Sequence, residues 1–214
     1  RLQPSTHILP KPLIPMKGKA IIEHIISEFK NYGVSNYFIS LNYKSQLIKA
    51  FFSELKLNCK INYLNEKKPL GTAGCLKLLQ NKKLENFFVI NCDTIIKTNL
   101  NEFLKFHKES KNDISVIGAI NKVEIPYGVC EIGKNQKIKK IDEKPKINFL
   151  TNTGCYLVNK EILKLIPKDK YLDFTDLITL AISKKYKVGL YPIDRSEWID
   201  VGNLDHISRL NEIE

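Results

Sequence analysis

Phe87-Phe88-Val89-Ile90-Asn91 is the stretch that decides the fold class. Its four consecutive apolar residues are typical of a strand buried on both faces of a parallel sheet. Around it, helix-like and strand-like segments alternate up to about residue 125. In chain order they are a helix over 17–32, a strand at Asn36–Leu41, a helix at Ser45–Phe52, a strand at Lys60–Leu64, a helix at Thr72–Leu79, the strand at Phe87–Asn91, a helix at Leu100–His107 and a strand at Ile114–Ile120. This alternation predicts an α/β fold with a doubly wound, mostly parallel, Rossmann-like sheet.

The pattern changes after about residue 125. Strands with short links are predicted at Val129–Ile132, Ile138–Ile141 and Thr151–Val158, which indicates a small antiparallel extension of the sheet. Two helices, a strand and a closing helix are then predicted at Glu161–Leu165, Asp173–Ser183, Val188–Tyr191 and Leu204–Ile213. With 214 residues and no internal repeat or linker, we expect a single domain over 1–214.

The start of the chain indicates that the first strand and Gly-rich turn of the predicted fold are missing from this sequence. A doubly wound fold usually begins with a strand, a Gly-rich turn and a helix N-terminus that takes phosphate. Arg1 comes after that point in the pattern. We therefore expect about a dozen or more residues, one strand plus a loop, to precede Arg1 in the protein.

Composition and charge narrow the function classes. No apolar run approaches the ~20 residues of a membrane span, so no membrane partner is expected. The net charge of +11 would suit nucleic acid or an anionic membrane surface. The lysines are scattered, however, and Lys, Asn and Ile are all abundant, which favours a lysine-rich proteome with no nucleic-acid partner. The five cysteines form no CxxC motif; they indicate buried thiols in a reducing cytoplasm, not a disulfide framework or a zinc site.

Two aspartates are candidate metal ligands. Asp93 follows the strand Phe87–Asn91, and ligands of open α/β sheets bind at the carboxyl ends of strands. Mg²⁺ takes one or two carboxylates together with phosphate oxygens. Asp200, between Trp198 and Gly202, offers the second carboxylate. The alternative for Asp93 is a turn-forming role after a strand, and for Asp200 a helix cap or a turn.

Three cations are candidate phosphate ligands. Lys11 lies between Pro10 and Pro12, and Lys144 precedes Pro145; proline restricts the backbone and thus the placement of the ammonium group. The alternative for each lysine is a solvated surface position. Arg1 has the forked geometry that suits a di- or triphosphate, although an arginine at a chain end is normally disordered.

The segment Glu66-Lys67-Lys68-Pro69-Leu70-Gly71-Thr72-Ala73-Gly74 suits a close backbone approach to a flat base or a phosphate, because glycine has no Cβ. The alternative is a helix start that needs small residues. The four histidines form no cluster with ligand spacing, and we find no Ser-His-Asp or Cys-His pattern.

The ordered motifs resemble those of the sugar-1-phosphate nucleotidyltransferases, or nucleotide-sugar pyrophosphorylases, over essentially the whole chain. That family opens with a Gly-rich loop ending in Gly-Thr-Arg-Leu, then Pro-x-Thr and Pro-Lys-Pro. The corresponding motifs here are Arg1-Leu2, Pro4-Ser5-Thr6, Pro10-Lys11-Pro12, Pro69-Leu70-Gly71-Thr72-Ala73-Gly74, Asn91-Cys92-Asp93, Pro126-Tyr127-Gly128, Glu143-Lys144-Pro145, Asn152-Thr153-Gly154 and Trp198-Ile199-Asp200-Val201-Gly202. Two features depart from the family: the Gly-rich loop is missing, and Cys92 stands where glycine usually precedes the aspartate.

The resemblance implies a GT-A-like nucleotidyltransferase fold with a nucleotide-binding part at about 1–124 and a sugar-binding part at about 125–214. It also implies Mg²⁺ as the cofactor. Carried over by position, Asp93 and Asp200 would hold the metal, with Asp93 also on the nucleotide side. Lys11 and Arg1 would bind the triphosphate, and Lys144 would bind the phosphate of the sugar.

The resemblance also assigns the two recognition pockets. Gly128, Glu143 and Asn152 would contact sugar hydroxyls. The nucleotide-binding segment would include Glu66, with Gly71 and Thr72 lining the base pocket. The implied activity is transfer of a nucleotidyl group from a nucleoside triphosphate to a sugar-1-phosphate, for surface-glycan biosynthesis. The motif Leu70-Gly71-Thr72-Ala73-Gly74 resembles that of guanylyltransferases acting on mannose, hexosamine or heptose phosphates, which favours GTP as the nucleotide donor.

Several alternatives stay open. The enzyme could use another base as a thymidylyl-, uridylyl- or cytidylyltransferase, and a homo-oligomer is possible. A non-catalytic subunit that senses nucleotide sugars would keep the same fold. A glycosyltransferase of related fold usually carries Asp-x-Asp after a strand, whereas Asn91-Cys92-Asp93 has one aspartate.

Overall fold

The computed structural model describes residues 9–202. Its α-helices are α1 at Ile21–Lys30, α2 at Ser45–Glu54, α3 at Gly71–Gly74, α4 at Leu100–Glu109 and α5 at Phe174–Ser183. Its strands are β1 at Pro15–Met16, β2 at Lys19–Ala20, β3 at Asn36–Leu41, β4 at Lys60–Asn65, β5 at Asn86–Ile90, β6 at Thr94–Ile96, β7 at Ile114–Glu124, β8 at Val129–Ile132, β9 at Ile138–Asp142, β10 at Lys146–Asn159, β11 at Val188–Ile193 and β12 at Trp198–Asp200. Short 3₁₀ helices occupy Lys11–Leu13, Cys75–Leu79, Lys134–Gln136, Lys160–Lys164 and Arg195–Glu197. The predicted helix Leu204–Ile213 and the predicted phosphate ligand Arg1 lie outside the described residues.

The central sheet has the strand order β11-β7-β10-β5. β11 is parallel to β7, while β10 is antiparallel to both β7 and β5. β5, β7 and β11 therefore run in one direction, and β10 alone runs in the other. The predicted α/β class with a mostly parallel sheet is confirmed. The opposed strand comes from the antiparallel extension, which returns the chain into the middle of the sheet.

The extension is a long two-stranded ribbon. The outer half of β7 pairs with the first half of β10, from Ala119↔Thr151 to Glu124↔Lys146. β8 and β9 continue it as an antiparallel hairpin. β10 is longer than the predicted Thr151–Val158 because its first residues pair with β7 outside the core.

Two apolar layers cover the faces of the sheet. Along β5, Phe88 and Ile90 pack against α1 and α4, while Phe87 and Val89 pack against the layer that contains α5. Both faces of this strand therefore pack against apolar layers, as expected, although each of its residues is only partly buried. The predicted apolar face of α1 is buried as well, at Ile21, Ile22, Ile25, Ile26 and Phe29. Each such side chain contributes roughly 1.5–3 kcal/mol of burial free energy.

Two helix predictions are corrected. The helix expected over 17–32 begins only at Ile21, because Lys17 and Gly18 form a turn between β1 and β2 with φ of 46° and 75°. The helix expected at Thr72–Leu79 is α-helical only as far as Gly74. The N–H groups of Ala73 and Gly74 donate to the carbonyl of Leu172, at 2.9 and 3.1 Å, so this segment is held by another part of the chain.

β3 and β4 form a separate parallel pair, with Asn36↔Lys60 to Leu41↔Asn65 in register. No hydrogen-bonded ladder joins β3 to β5 among residues 9–202. Both strands nevertheless contribute to the same two apolar layers, through Tyr37 and Phe88 on one face and Phe38 and Phe87 on the other. They therefore belong to one layer of the fold.

No helix in the described part of the chain is long and apolar enough to cross a bilayer.

Candidate active site

A cavity of about 550 Å³ lies beside the carboxyl end of β5. Asn91 and Asp93, which follow that strand, form part of the cavity wall. Ligands of open α/β sheets bind at this edge, outside the carboxyl ends of the strands. The lining residues are Lys11, Thr72, Asn91, Asp93, Thr94, Thr151, Asn152, Thr153, Gly154, Tyr156, Asp173, Phe174, Thr175, Trp198, Asp200 and Gly202. Predicted phosphate, metal, base and sugar ligands are thus brought together from distant parts of the sequence.

The two predicted metal ligands are adjacent because β6 and β12 pair. Thr94 lies opposite Asp200 in that ladder, and the Val201 N–H donates to the backbone carbonyl of Asp93 at 2.9 Å. A methyl group added to Gly202 would lie 3.0 Å from Asp200 Oδ1 and 3.2 Å from Asp93 Oδ2. Both carboxylates therefore border the space that the missing Cβ of Gly202 leaves open.

Lys11 joins this group. Its Nζ lies 3.2 Å from Asp93 Oδ2, and the two side chains are 44% and 22% exposed. At that exposure an ion pair contributes only about 0–1 kcal/mol to stability, so the contact matters chiefly for where it holds the charge. One ammonium group and two carboxylates therefore line the same cavity.

This donor set suits a divalent cation that keeps several other ligands. Within residues 9–202 there is no group of three or more His, Cys, Asp or Glu side chains that could enclose a metal. Two carboxylates beside open space match the way Mg²⁺ is held by one or two carboxylates plus phosphate oxygens and water. The residues present therefore fit a metal that is shared with a phosphate ligand.

A second group of side chains forms an aromatic wall. The Tyr156 and Phe174 rings stack at a centroid distance of 3.6 Å with an interplanar angle of 12°. Asn152 Nδ2 donates to the Tyr156 hydroxyl at 2.9 Å, and Asn152 Oδ1 accepts from the Gly154 N–H at 3.0 Å. Burial raises the pKa of the Tyr156 phenol, and the bond from Asn152 opposes part of that shift. The hydroxyl keeps its proton and is available as a donor.

The two glycines of the segment Gly71-Thr72-Ala73-Gly74 pack closely against another part of the protein. Gly71 has φ +77, and a Cβ there would lie 2.6 Å from the Leu172 carbonyl oxygen. Thr72 lines the cavity, whereas Gly71 and Glu66 are not among the lining residues. Glu66 instead accepts from the Leu70 N–H at 2.8 Å and from the Ser40 hydroxyl at 2.5 Å. Base binding by Gly71 and Glu66 stays a prediction, and packing alone accounts for the glycine.

The predicted sugar ligands fall into two places. Asn152 lies in the cavity wall. Gly128 and Glu143 lie together where the ribbon bends, since a Cβ on Gly128 would be 3.0 Å from Glu143 Oε2. Lys144, with φ 48, donates its N–H to the Tyr127 carbonyl at 3.3 Å in the same bend. These three residues are not among those lining the cavity, so their contact with a substrate stays a prediction.

Sequence reasoning missed part of the cavity wall. Tyr156, Asp173 and Phe174 were assigned no functional role, because none belongs to a motif with recognisable spacing. Asp173 had one weak signal, its position directly before a predicted helix. Trp198 lines the cavity beside Asp200, and its motif was the only sign of it.

Comparison with known proteins identifies relatives along the whole chain. The family described as Nucleotidyl transferase matches residues 1–213. Mannose-1-phosphate guanylyltransferase 1 of Arabidopsis thaliana is 37% identical over 224 residues, covering 98% of this chain and 60% of the plant protein. Bifunctional protein GlmU of Methanococcus maripaludis is 31% identical over 216 residues, covering 95% of this chain and 49% of the archaeal one. The chain thus spans about half to three fifths of these curated relatives.

Solved structures share the fold. HddC from Yersinia pseudotuberculosis superposes with a TM-score of 0.74 at 23% identity, covering 96% of this chain and 91% of that one. A putative glucose-1-phosphate thymidylyltransferase from Bacillus anthracis gives 0.73 at 22% identity, covering 98% and 88%. At these identities the likeness concerns the fold, and it confirms the predicted nucleotidyltransferase architecture.

Proposed function

Because this chain belongs to the nucleotidyl transferase family, we propose that its protein transfers a nucleotidyl group from a nucleoside triphosphate to a sugar-1-phosphate. The products are a nucleotide sugar and pyrophosphate. The observation that carries this proposal is the meeting of Lys11, Asp93 and Asp200 at one wall of a cavity that also holds Asn152. GTP is the proposed nucleotide donor, supported by the Leu-Gly-Thr-Ala-Gly motif and by a guanylyltransferase relative that is 37% identical.

The chemistry matches these residue types. An oxygen of the sugar phosphate attacks the α-phosphorus of the triphosphate, a new P–O bond forms, and the bond to pyrophosphate breaks. The nucleophile is already an anion, so no strong general base is required. The main obstacle is the repulsion between two polyanions, which positioning and nearby positive charge reduce. Lys11 supplies a positive charge next to Asp93, at the cavity wall.

Mg²⁺ is the proposed metal, held by Asp93 and Asp200. When bound, a divalent ion of this kind neutralises phosphate charge and orients the reacting groups. The chain's own part is to hold two carboxylates against the gap at Gly202, through the Val201 and Gly202 N–H groups, the latter donating to Asp200 Oδ1 at 3.0 Å.

The remaining ligand assignments are also proposals. Lys144, Gly128 and Glu143 would reach the sugar phosphate from the bend of the ribbon, and Arg1 would bind the triphosphate. Motif order supports them. The division into a nucleotide part before about residue 125 and a sugar part after it has the same status, as do a cytoplasmic location and a homo-oligomer.

We also propose that a strand fits between β3 and β5 in the whole protein. Among the described residues, these two strands share both apolar layers without sharing a ladder. A parallel sheet does not normally leave two such edges unpaired. Amide hydrogen exchange on the full-length protein tests this: both edges should be protected, and fast exchange along β5 would refute the inserted strand.

Turnover tests the proposed function. The full-length protein is assayed for Mg²⁺-dependent pyrophosphate release, with the four common nucleoside triphosphates crossed with a panel of hexose-, hexosamine- and heptose-1-phosphates. We expect turnover with GTP and at least one sugar phosphate. No turnover with any pair would refute the enzyme and leave the non-catalytic sensor.

A matched pair of variants tests the metal assignment. Asp93→Asn should lower turnover by at least about 100-fold, the scale of losing one charge contact in the transition state. Asp169→Asn, an exposed aspartate with φ 54 outside the cavity, should leave turnover unchanged. An active Asp93→Asn enzyme would remove Asp93 as a metal ligand.

A further inference from the structure

Asp173 occupies the N-cap position of α5, yet its side chain does not cap that helix. The Thr72 hydroxyl oxygen performs the task instead, accepting from the Phe174 N–H at 2.8 Å. Aspartate is usually favoured at this position because it accepts from the first N–H groups of the helix. The usual reason for an aspartate is therefore absent here.

The Asp173 carboxylate is held in place by neighbours outside its helix. Oδ1 accepts from the Thr72 N–H at 3.3 Å and from the Thr72 hydroxyl at 3.4 Å. Oδ2 accepts from the Tyr171 hydroxyl at 3.0 Å. That bond raises the pKa of Tyr171, because the phenol proton is held by the carboxylate. A carboxylate can accept about four hydrogen bonds, so capacity remains for a donor in the cavity.

The surroundings of Asp173 suit a polyhydroxy ligand. The carboxylate lines the cavity together with its neighbour Phe174, whose ring stacks on Tyr156. Tyr156 in turn accepts from Asn152. The two rings are almost fully buried, so they support the cavity wall, and the Asp173 carboxylate and the Asn152 amide are polar groups fixed beside them. A few precisely placed polar groups of this kind orient small polar ligands. The ammonium group of Lys11, which would attract a phosphate, lies against Asp93 instead.

We propose that Asp173 is a specificity-determining residue that accepts a hydrogen bond from a hydroxyl or amino group on the sugar of the sugar-1-phosphate. The inference rests on the proposed function for the identity of the ligand. A charge-assisted bond of this kind favours substrates that carry a donor at that position over those that lack it. Asp173 thus acts on the choice of sugar, and phosphate binding stays with the cations.

Kinetics of a matched pair of variants test this role. Asp173→Asn keeps the shape but removes the charge. It should raise KM for the preferred sugar-1-phosphate about tenfold or more, the effect of losing roughly one charge-assisted bond. KM for the nucleotide should change by less than about twofold. Asp176→Asn, on the exposed side of the first turn of α5, should match the wild type in both constants.

A substrate panel locates the donor. Deoxy and amino analogues of the preferred sugar-1-phosphate are compared in wild type and Asp173→Asn. The analogue that lacks the recognised donor should be poor for the wild type and lose little further in the variant. Equal losses for every analogue, an unchanged sugar KM, or a rise only in the nucleotide KM would each overturn the proposal, the last by assigning Asp173 to the base.

Direct binding separates this proposal from the proposed function. Calorimetric titration of the sugar-1-phosphate needs no turnover. Weaker binding to Asp173→Asn than to Asp176→Asn supports Asp173 even if the wild type releases no pyrophosphate; equal binding overturns it even if the enzyme is active. Asp173→Ser replaces Asp173→Asn if circular dichroism shows that the latter does not fold.

Discussion

Gly71→Ala should destabilise the protein through two separate effects. Gly71 has φ +77, a left-handed conformation that L residues adopt at a cost. The new methyl group would lie 2.6 Å from the Leu172 carbonyl oxygen and 2.9 Å from its carbonyl carbon. Both atoms are backbone, so a side-chain rotation cannot relieve the overlap.

The size of the effect follows from the two contributions. The left-handed conformation costs about 1–2 kcal/mol for a residue with a Cβ. Overpacking a close-packed site costs typically about 1–3 kcal/mol. The unfolding free energy should therefore fall by about 2–5 kcal/mol. For a domain of this size, each kcal/mol corresponds to about 2–4 °C, so the melting temperature should drop by roughly 4–20 °C.

Two other glycines serve as controls. Gly33 has φ +81 but no heavy atom within 4 Å of an added Cβ, and Gly74 has a helical φ but would place its Cβ 2.7 Å from the Lys170 carbonyl oxygen. Gly33→Ala therefore measures the conformational cost, and Gly74→Ala the steric one. Urea unfolding followed by circular dichroism gives all three free energies. If Gly71→Ala is no more destabilising than Gly33→Ala, the close packing of Gly71 on Leu172 is wrong.

Two further predictions concern buried side chains. His107 is buried against Ser115 and Asn86, and burial lowers its pKa although Asp113 nearby acts in the opposite sense. The folded state therefore binds the imidazole proton more weakly than the unfolded state does. The contribution of neutral His107 to the unfolding free energy is present above the ordinary histidine pKa of about 6.5 and is lost as the pH falls below it. Urea unfolding between pH 8 and 5 should show this loss in the wild type and a flatter dependence in His107→Gln, and parallel curves would contradict it. Phe174→Ala should cost about 3–5 kcal/mol in the same assay, because the ring is 2% exposed and stacked; a loss below about 1 kcal/mol would mean that the stack is not formed.

Much of the fold was readable from local patterns. The apolar run Phe87–Ile90 predicted a strand buried on both faces, and the spacing of the isoleucines in α1 predicted its buried face. The buried face of α1 is confirmed, and the strand packs against an apolar layer on each face although its residues are only partly buried. Hydrophobic periodicity reflects which side chains leave water. The predicted helix at Thr72–Leu79 is α-helical as far as Gly74 and continues as a 3₁₀ helix at Cys75–Leu79. Local patterns did not show that the N–H groups of Ala73 and Gly74 bond to the carbonyl of Leu172, which lies far along the chain.

The residues of the candidate site also fall into two groups, those that the sequence predicted and those that it did not. Asp93 was predicted from its position after an apolar strand, and Lys11 and Asp200 from short motifs with proline or glycine neighbours. The structure places all three in the wall of one cavity. Asp173 was not predicted, because its place in the cavity wall depends on Thr72, whose hydroxyl accepts from the Phe174 N–H instead. Local sequence places an aspartate before a helix but contains no information about a hydroxyl from another element.

By itself, the sequence determined the α/β class and the antiparallel extension, and it selected the residues predicted to bind phosphate and metal, since these follow from periodicity and from motifs a few residues long. Only the tertiary structure decided that β10 lies in the middle of the sheet between β7 and β5, that Gly71 packs closely against Leu172, and that Asp173, Phe174 and Tyr156 line the cavity. The physical reason is contact distance: these features depend on hydrogen bonds and ring contacts between segments far apart in the chain, and local propensity does not encode such pairings.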